Sequence, residues 1–379
     1  MYSQEDLNSA VAAGAISAES AAALRAHVAT TKDAVTADAE HFRLITGFND
    51  IFVSIGVVIL LIAMGAIGQA IADFLVPAPA WDDAVSEAVW VKQAAQRQLA
   101  DGVAVSLAAA FVAGTAWLLA EFFTRKRHMA LPSIILLLAF VGGVMAAQAG
   151  VLIGWFEGRG ESNESVGFTL LALAALVTAG AAWVHWRRFM VPITIAAGTA
   201  AIAATAILLL VAAIDPAGRN VETVVLSLVF IAGLIVFAFA MRWDMSDPSR
   251  ETRRSDVAFW LHLLAAPMIA HPVFALLGVT EGDNIAASAA VSVVGIYVIF
   301  GLIALAIDRR ALLVSALAYV LIALTFLFRE FGAVELNFAL TALVIGSALL
   351  TLSALWTPIR AAVVRGLPGT MQARLPVTA

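Results

Sequence analysis

Ten apolar stretches, each about as long as one bilayer crossing, divide the sequence between residues 51 and 356. A helix needs about 20 mainly apolar residues to cross about 30 Å of hydrocarbon, because its backbone polar groups must bond within the helix. The stretches lie near 51–72, 103–123, 133–155, 168–186, 190–213, 222–241, 257–279, 285–307, 311–328 and 337–356. They predict an all-α, polytopic transmembrane helical bundle of about ten spans.

Two of the divisions between spans rest on short charged breaks. Arg187 and Arg188 separate the fourth span from the fifth, and Asp308, Arg309 and Arg310 separate the eighth from the ninth. Without these breaks, each pair of spans would be one long helix with two adjacent arginines at the bilayer centre, which is costly. We therefore expect a turn at each break.

The composition excludes several classes of protein. The chain is 62% hydrophobic and 13% charged, about half the charge of an ordinary soluble protein. A net charge of −5 leaves no basic surface large enough for a nucleic-acid backbone, so no nucleic-acid partner is expected. The sequence has no cysteine, which rules out disulfides and thiolate metal sites. The lipid bilayer is the partner that this composition requires.

The positions of lysine and arginine predict the orientation, since short cytoplasmic loops retain these residues. They alternate between the two sets of loops, with 17 on the side of the amino terminus and 5 on the other. Both termini are therefore predicted to be cytoplasmic. Because the composition is rich in alanine, valine and glycine, we expect a multi-pass protein of the bacterial inner (cytoplasmic) membrane.

Residues 1–48 are predicted to form a cytoplasmic helical segment. Ser3 is placed to cap a first helix, Gly14 to end it and Ser17 to cap a second. The segment is open to two interpretations, a plain lead-in to the first span or a docking region for a cytoplasmic or envelope protein.

The remaining organisation follows from the spans. The ten-span domain covers 49–357, and 358–379 are predicted to be a cytoplasmic tail. Within the domain, residues 77–100 are predicted to form an interfacial helix on the outer face, because tryptophans stand there among polar residues. A lid over an outward-facing cavity is the alternative.

The amino-terminal motif carries a resemblance. Asp6-Leu7, Gly14-Ala15-Ile16-Ser17, Glu19 and Leu24 precede the first of many spans. This pattern resembles uncharacterised bacterial inner-membrane families that begin with a small cytoplasmic helical pair. The resemblance implies location and architecture but no catalytic residues. In number of spans the chain is also similar to the drug/metabolite transporter superfamily, which is built from two inverted five-span halves.

Ionisable residues inside a bilayer are functional candidates by default, because they are costly there. The charged residues of the spans all fall at predicted span ends, where headgroup contact explains them: Asp73, Asp101, Glu121, Asp308, Arg329 and Glu330. This distribution argues against carriers driven by protons or sodium. His185, beside two arginines, is expected to lie at the cytoplasmic interface.

The seventh span is the exception, since it contains His262, His271, Pro267, Pro272 and Trp260. His271 follows His262 by nine positions, which places the two rings on opposite faces of an ideal helix, about 13 Å apart along its axis. They cannot share a metal ion unless the prolines break the helix. A broken helix would form a ligand-binding site for a solute or a proton.

Two other interpretations of the seventh span stay open. The histidines are either structural residues around a kink or, with less support, haem or metal ligands; we expect no metal and no cofactor. Gln69 and Gln148 are the remaining candidate ligand-binding residues, with hydrogen bonding between helices as the simpler role. If the prolines open the helix to form a site, we expect these amides to be the hydrogen-bond partners of His262 or His271.

These features favour a carrier or channel-like protein for a neutral or lipid-like solute, with the seventh span lining its path. The alternative is a non-transporting membrane scaffold or assembly partner in the bacterial envelope. An enzyme is not expected, because the loops lack a Walker loop, a dinucleotide fingerprint, a zinc-protease helix and a nucleophile elbow.

Overall fold

The structure is a computed structural model of the 379-residue chain. It describes residues 7, 10–24, 48–80, 86–156, 164–214, 221–248, 250, 252–278, 287–330, 336–372 and 375–376. Regular secondary structure within these residues is helical, without a strand.

Ten of the described helices are long and apolar enough to cross a membrane. They are α1 Phe48–Leu75, α2 Glu87–Phe123, α3 Ala130–Phe156, α4 Glu164–Phe189, α5 Ile193–Ile214, α6 Val221–Met245, α7 Arg253–Leu276, α8 Ala287–Ile307, α9 Ala311–Glu330 and α10 Asn337–Ala354. Two shorter helices, α11 Trp356–Arg365 and α12 Gly369–Gln372, follow. The predicted all-α bundle is confirmed, and the chain is a multi-pass membrane protein.

A turn is present near each of the two charged breaks, although Arg187 and Arg188 themselves lie in the last turn of α4. One turn separates Phe189 from Ile193, and the other separates Ile307 from Ala311. The turns after α2, α4, α6 and α8 form what we call the arginine-rich end of the bundle. Each contains one non-glycine residue with a positive φ, and these residues are His128, Met190, Arg250 and Asp308. Left-handed backbone is a common way to end a helix within one or two residues, and it allows such short connections.

Residues 87–100 do not form a helix separate from the second span. They are the first turns of α2, which runs without a break for 37 residues, or about 55 Å. The predicted boundary near 103 is therefore wrong, because the polar residues here continue the helical hydrogen bonding of the span. Trp81 to Val85 of the predicted interfacial helix lie outside the described residues.

Small residues bring α2 and α3 into close contact. A Cβ added at Gly102 would lie 2.6 Å from the carbonyl oxygen of Gly150, and one at Gly143 would lie 2.9 Å from that of Ala109. Such distances leave no room for a side chain, so backbone packs on backbone here. This arrangement is typical of helix pairs in lipid, where van der Waals contact drives association.

Helix α7 occupies the most enclosed position in the bundle. It packs against α5, α6 and α9, and so joins the first five spans to the last five. In its most apolar window 56% of residues are buried, against 11% to 33% in the other nine spans. The segment that sequence analysis selected is therefore the centre of the spanning region.

Met1–Arg43 form a separate compact unit, which we call the amino-terminal unit. Gly14 has a φ of +68° and follows a helical turn, as predicted for a helix end. The Ser17 hydroxyl oxygen accepts a hydrogen bond of 3.0 Å from the Ser20 amide, which confirms the predicted cap of the second helix. The predicted cap at Ser3 lies outside the described residues.

Candidate functional site

A buried acid and a buried histidine meet between α6 and α7. Asp244 lies one residue before the end of α6, and its Oδ2 is 2.8 Å from Nε2 of His262 on α7. Both side chains are 2% exposed. In any helix the Cα–Cβ bonds tilt toward the amino terminus. α6 and α7 are consecutive spans that run in opposite directions, so their side chains lean in opposite directions along the bundle. Asp244, at the end of α6, can therefore reach His262, which lies about nine residues into α7.

Arg309, from the turn between α8 and α9, completes this group. Its Nη2 lies 2.6 Å from Oδ1 of Asp244, and its Nε donates to Oδ2 at 3.4 Å. Nη2 also donates to the Ser255 carbonyl at 3.3 Å. We call Asp244, His262 and Arg309 the Asp244 cluster. The carboxylate and the guanidinium neutralise each other, which makes burial of both charges tolerable.

His262 keeps one polar atom without a partner. Since Nε2 faces a carboxylate, the neutral ring carries its proton on Nε2 and leaves Nδ1 as an acceptor. This Nδ1 is buried and has no hydrogen-bond partner among the described residues. The ring packs edge-on against Phe237 at a centroid distance of 5.2 Å. A buried acceptor of this kind can bind a donor group from a solute or a water molecule.

Asp308, the neighbour of Arg309, organises a second group. Its Oδ2 lies 2.8 Å from Nη1 of Arg250, and its Oδ1 accepts a 2.7 Å bond from Nε1 of Trp356. Arg360 lies 3.6 Å from the same Oδ1 and donates at 2.7 Å to the Pro376 carbonyl. We call Asp308, Arg250, Trp356 and Arg360 the Asp308 cluster. The expectation that headgroup contact explains Asp308 is therefore wrong, because its side chain is enclosed by these partners.

The two clusters link the helices at the arginine-rich end of the last five spans. Asp308 and Arg309 are consecutive, so one turn bonds to α6, α7 and α11 together. Asp308 and Arg250 have φ values of 57° and 56°, a conformation that costs a non-glycine residue about 1–2 kcal/mol. Their mutual ion pair stabilises both strained residues. The arrangement can hold this end closed, and separating it requires several charged contacts to break together.

The structure does not bring the two histidines of α7 together. His271 lies on an exposed face, where its Nδ1 is 2.6 Å from the Tyr319 hydroxyl. The break in α7 that the two prolines could have caused is not observed, since the helix is continuous through Pro267 and Pro272. Each proline removes one backbone donor, and the tight packing of α7 holds the turns on either side in place.

The candidate amides do not contact the histidines among the described residues, and the opened helix on which that prediction depended is not present. Gln148 donates at 3.2 Å to the Thr178 hydroxyl and at 3.3 Å to the Ala174 carbonyl, which makes it a link between α3 and α4. Gln69 is exposed on α1. Trp260 packs against a cluster formed by Leu137, Val191 and Ile193, where α7 meets the first five spans.

His185 lies four residues before the end of α4. It is fully buried, enclosed by the rings of Trp117, Phe140 and Phe189 at centroid distances of 6.0, 5.6 and 4.6 Å. Its Nδ1 lies 3.3 Å from the Thr194 hydroxyl. Arg187 and Arg188, two and three residues later, are exposed, whereas the His185 ring points into the protein.

Sequence analysis missed Asp244 because it follows the predicted end of the sixth span at residue 241. A usable signal was present, since the predicted topology brings Asp244, the start of the seventh span and Arg309 to the same end. Among the residues that the structure describes, no group of three or more histidines and carboxylates is arranged to hold a metal ion.

Comparison with protein-family models finds no match to this chain, and comparisons with curated proteins and with solved structures find none either.

Proposed function

We propose that this membrane protein is a carrier or channel-like protein for a neutral or lipid-like solute, located in the bacterial inner membrane with both termini in the cytoplasm. One observation carries the proposal: His262, in the most buried span, has a buried acceptor without a described partner. Ionisable groups inside a membrane protein are costly and usually serve substrate or ion pathways.

The charges around His262 support an uncharged solute. The Asp244 carboxylate is paired with the Arg309 guanidinium, so the cluster needs no counter-ion. Nδ1 of His262 has no donor among the described residues. A hydroxyl or an amide N–H of a neutral solute supplies such a donor without adding charge.

In this proposal the arginine-rich end is the closed side of the path. The Asp244 cluster ties α6 and α7 to the α8–α9 turn, and the Asp308 cluster ties that turn to α11. Opening this end requires Arg309 to leave Asp244. Alternation between closed and open states is how carriers move a solute past a fixed site.

Single cysteines test whether water reaches His262, because the natural chain has none. Phe237→Cys places a thiol beside the His262 ring, and Ile235→Cys places one on the outer surface of the same helix, where Ile235 is 65% exposed. A carrier predicts that a water-soluble maleimide labels Phe237→Cys in permeabilised membranes but not lipid-facing Ile235→Cys. Ser246→Cys, in the exposed turn, is the positive control.

A scaffold predicts a different result. If Ser246→Cys is labelled and Phe237→Cys stays unlabelled at all times, the bundle is solid around His262 and the carrier proposal fails. The scaffold would then be the better assignment, and its amino-terminal unit the part to test for partners.

A ligand screen by thermal unfolding identifies the solute class. A neutral solute that binds Nδ1 should raise the unfolding temperature of the wild type and of His271→Gln. It should have no effect on His262→Gln, which keeps a donor for Asp244 near the position of Nε2 but removes the Nδ1 acceptor. Equal stabilisation of all three proteins would place the binding site elsewhere.

A further inference from the structure

The ends of α2 and α4 present an exposed group of cations. We call it the basic edge, and it consists of Arg125, Lys126, Arg127, Arg187 and Arg188. All five side chains are exposed, and the carboxylate bonded to this group is that of Glu121. Five cations and one bonded carboxylate leave the basic edge with a net positive charge.

Glu121 joins the two helices that carry the basic edge. Its Oε1 accepts from Nε of Arg188 at 2.7 Å, and its Oε2 accepts from Nη2 of Arg188 at 3.0 Å and from Arg125 at 3.3 Å. This bidentate contact fixes the ends of α2 and α4 side by side. Arg127 and Arg187 are outside this ion pair.

Arg187 lies over an exposed aromatic ring of its own helix α4, and Arg127, in the turn after α2, lies over an exposed aromatic ring of α2. The guanidinium carbon of Arg187 is 5.4 Å from the Trp183 ring centroid, and that of Arg127 is 5.5 Å from the Phe122 ring centroid. The rings are 60% and 44% exposed, and each precedes its arginine by four or five residues along the chain. Charge above an apolar ring at a helix end matches the boundary between headgroups and acyl chains.

Three arginines of the last five spans are placed differently. Arg250, Arg309 and Arg360 turn inward to the buried carboxylates of Asp244 and Asp308, which neutralise them inside the protein. At the basic edge Arg127 and Arg187 are exposed and outside the Glu121 ion pair, so an external anion can bind them.

We propose that the basic edge binds the phosphate headgroup of an anionic phospholipid. The phosphate accepts hydrogen bonds from the guanidinium groups of Arg127 and Arg187, and the acyl chains lie along the exposed rings of Phe122 and Trp183. Guanidinium groups suit this role, because their donors match phosphate oxygens. The proposal is independent of any transport activity.

Quenching of Trp183 by brominated lipid tests the proposal. The full-length protein is reconstituted into vesicles of phosphatidylcholine with increasing fractions of phosphatidylglycerol, with bromine on the chains of one lipid or the other. The difference in quenching between the wild type and Trp183→Phe isolates the signal of Trp183. We expect brominated phosphatidylglycerol to quench this signal at lower mole fraction than brominated phosphatidylcholine does.

A pair of matched variants tests the role of the arginine. One arginine near an anionic membrane surface contributes about 1 kcal/mol, which is about a fivefold change in affinity. Arg187→Gln should therefore lower the preference for phosphatidylglycerol about fivefold. Arg254→Gln removes the same charge from an exposed site at the start of α7 and should leave the preference unchanged. High salt should weaken the preference of the wild type.

Three results would overturn the proposal. Equal quenching by the two brominated lipids would show that the basic edge has no preference for an anion. Equal effects of Arg187→Gln and Arg254→Gln would show general attraction to the surface rather than a site. Competition by excess inorganic phosphate, with loss of the lipid preference, would identify a free phosphate site instead of a lipid site.

Discussion

Replacing Asp244 by asparagine should destabilise the protein more than replacing any exposed carboxylate. The Asp244 carboxylate accepts from Arg309 at 2.6 Å and lies 2.8 Å from the His262 ring nitrogen, and its side chain is 2% exposed. Removal of its charge leaves the Arg309 guanidinium, 5% exposed, without a counter-ion. Removing one partner of a buried ion pair costs about 3–5 kcal/mol. We expect the lower end of this range, because asparagine retains one acceptor.

A double-mutant cycle separates the ion pair from other effects of the substitution. The free energy of unfolding is measured for the wild type, Asp244→Asn, Arg309→Gln and the double variant, by reversible unfolding in mixed micelles with tryptophan fluorescence as the signal. Because both single variants leave a buried charge unpaired and the double variant leaves none, the two effects should not add. We expect a coupling energy of about 2–3 kcal/mol.

The exposed pair of Glu121 and Arg188 is the matched control, since it also joins two spans at the same end. Water screens this pair, so its cycle should show almost no coupling. The reasoning is refuted if the Asp244 and Arg309 effects add, or if their coupling does not exceed that of the exposed control.

Three further outcomes are expected. An impermeant thiol reagent applied to intact cells should label Glu164→Cys and leave Ser246→Cys unlabelled; the reverse would invert the predicted orientation. Gly143→Ala should lower the thermal stability in detergent, because its Cβ would lie 2.9 Å from a carbonyl oxygen of the adjacent helix, whereas Gly142→Ala, with nothing within 4 Å, should be neutral or stabilising by about 0.5–1 kcal/mol. Equal effects of the two alanines would contradict the close packing of α2 and α3. Trp356→Phe should cost about 1.5–3 kcal/mol of unfolding free energy, because it removes a buried hydrogen bond to a carboxylate, and an unchanged midpoint in denaturant titration would refute that bond.

The spans were predictable because hydropathy is a local property. A segment of about 20 apolar residues is long enough to cross the bilayer wherever it stands in the chain, so its own composition identifies it. The breaks at Arg187 and at Asp308 were predictable for the same reason, since adjacent charges are costly at the bilayer centre. The cap at Ser17 follows from a pattern of four residues and is equally local.

The sequence also indicated that α7 is the important span, because histidines and prolines are unusual in an apolar segment. It did not predict the shape of this helix or the partners of its polar side chains. Whether a proline breaks a helix depends on how firmly the neighbouring turns are packed, and α7 is the most buried span. Whether Gln148 meets a histidine or a threonine depends on which helix lies opposite, and the threonine on α4 lies there.

The charged clusters were decided by the tertiary structure alone. Asp244 meets His262, 18 positions away, and Arg309, 65 positions away. Sequence analysis treated Asp308 as a span-end residue in contact with lipid headgroups, whereas the fold surrounds it with two arginines and a tryptophan. A hydropathy pattern sets how many helices cross the membrane and where they turn, because the backbone hydrogen bonds of each span form within that span. It does not set the rotation and relative depth of the helices, which depend on packing between distant segments and which decide whether a charge at a span end faces lipid or a buried partner.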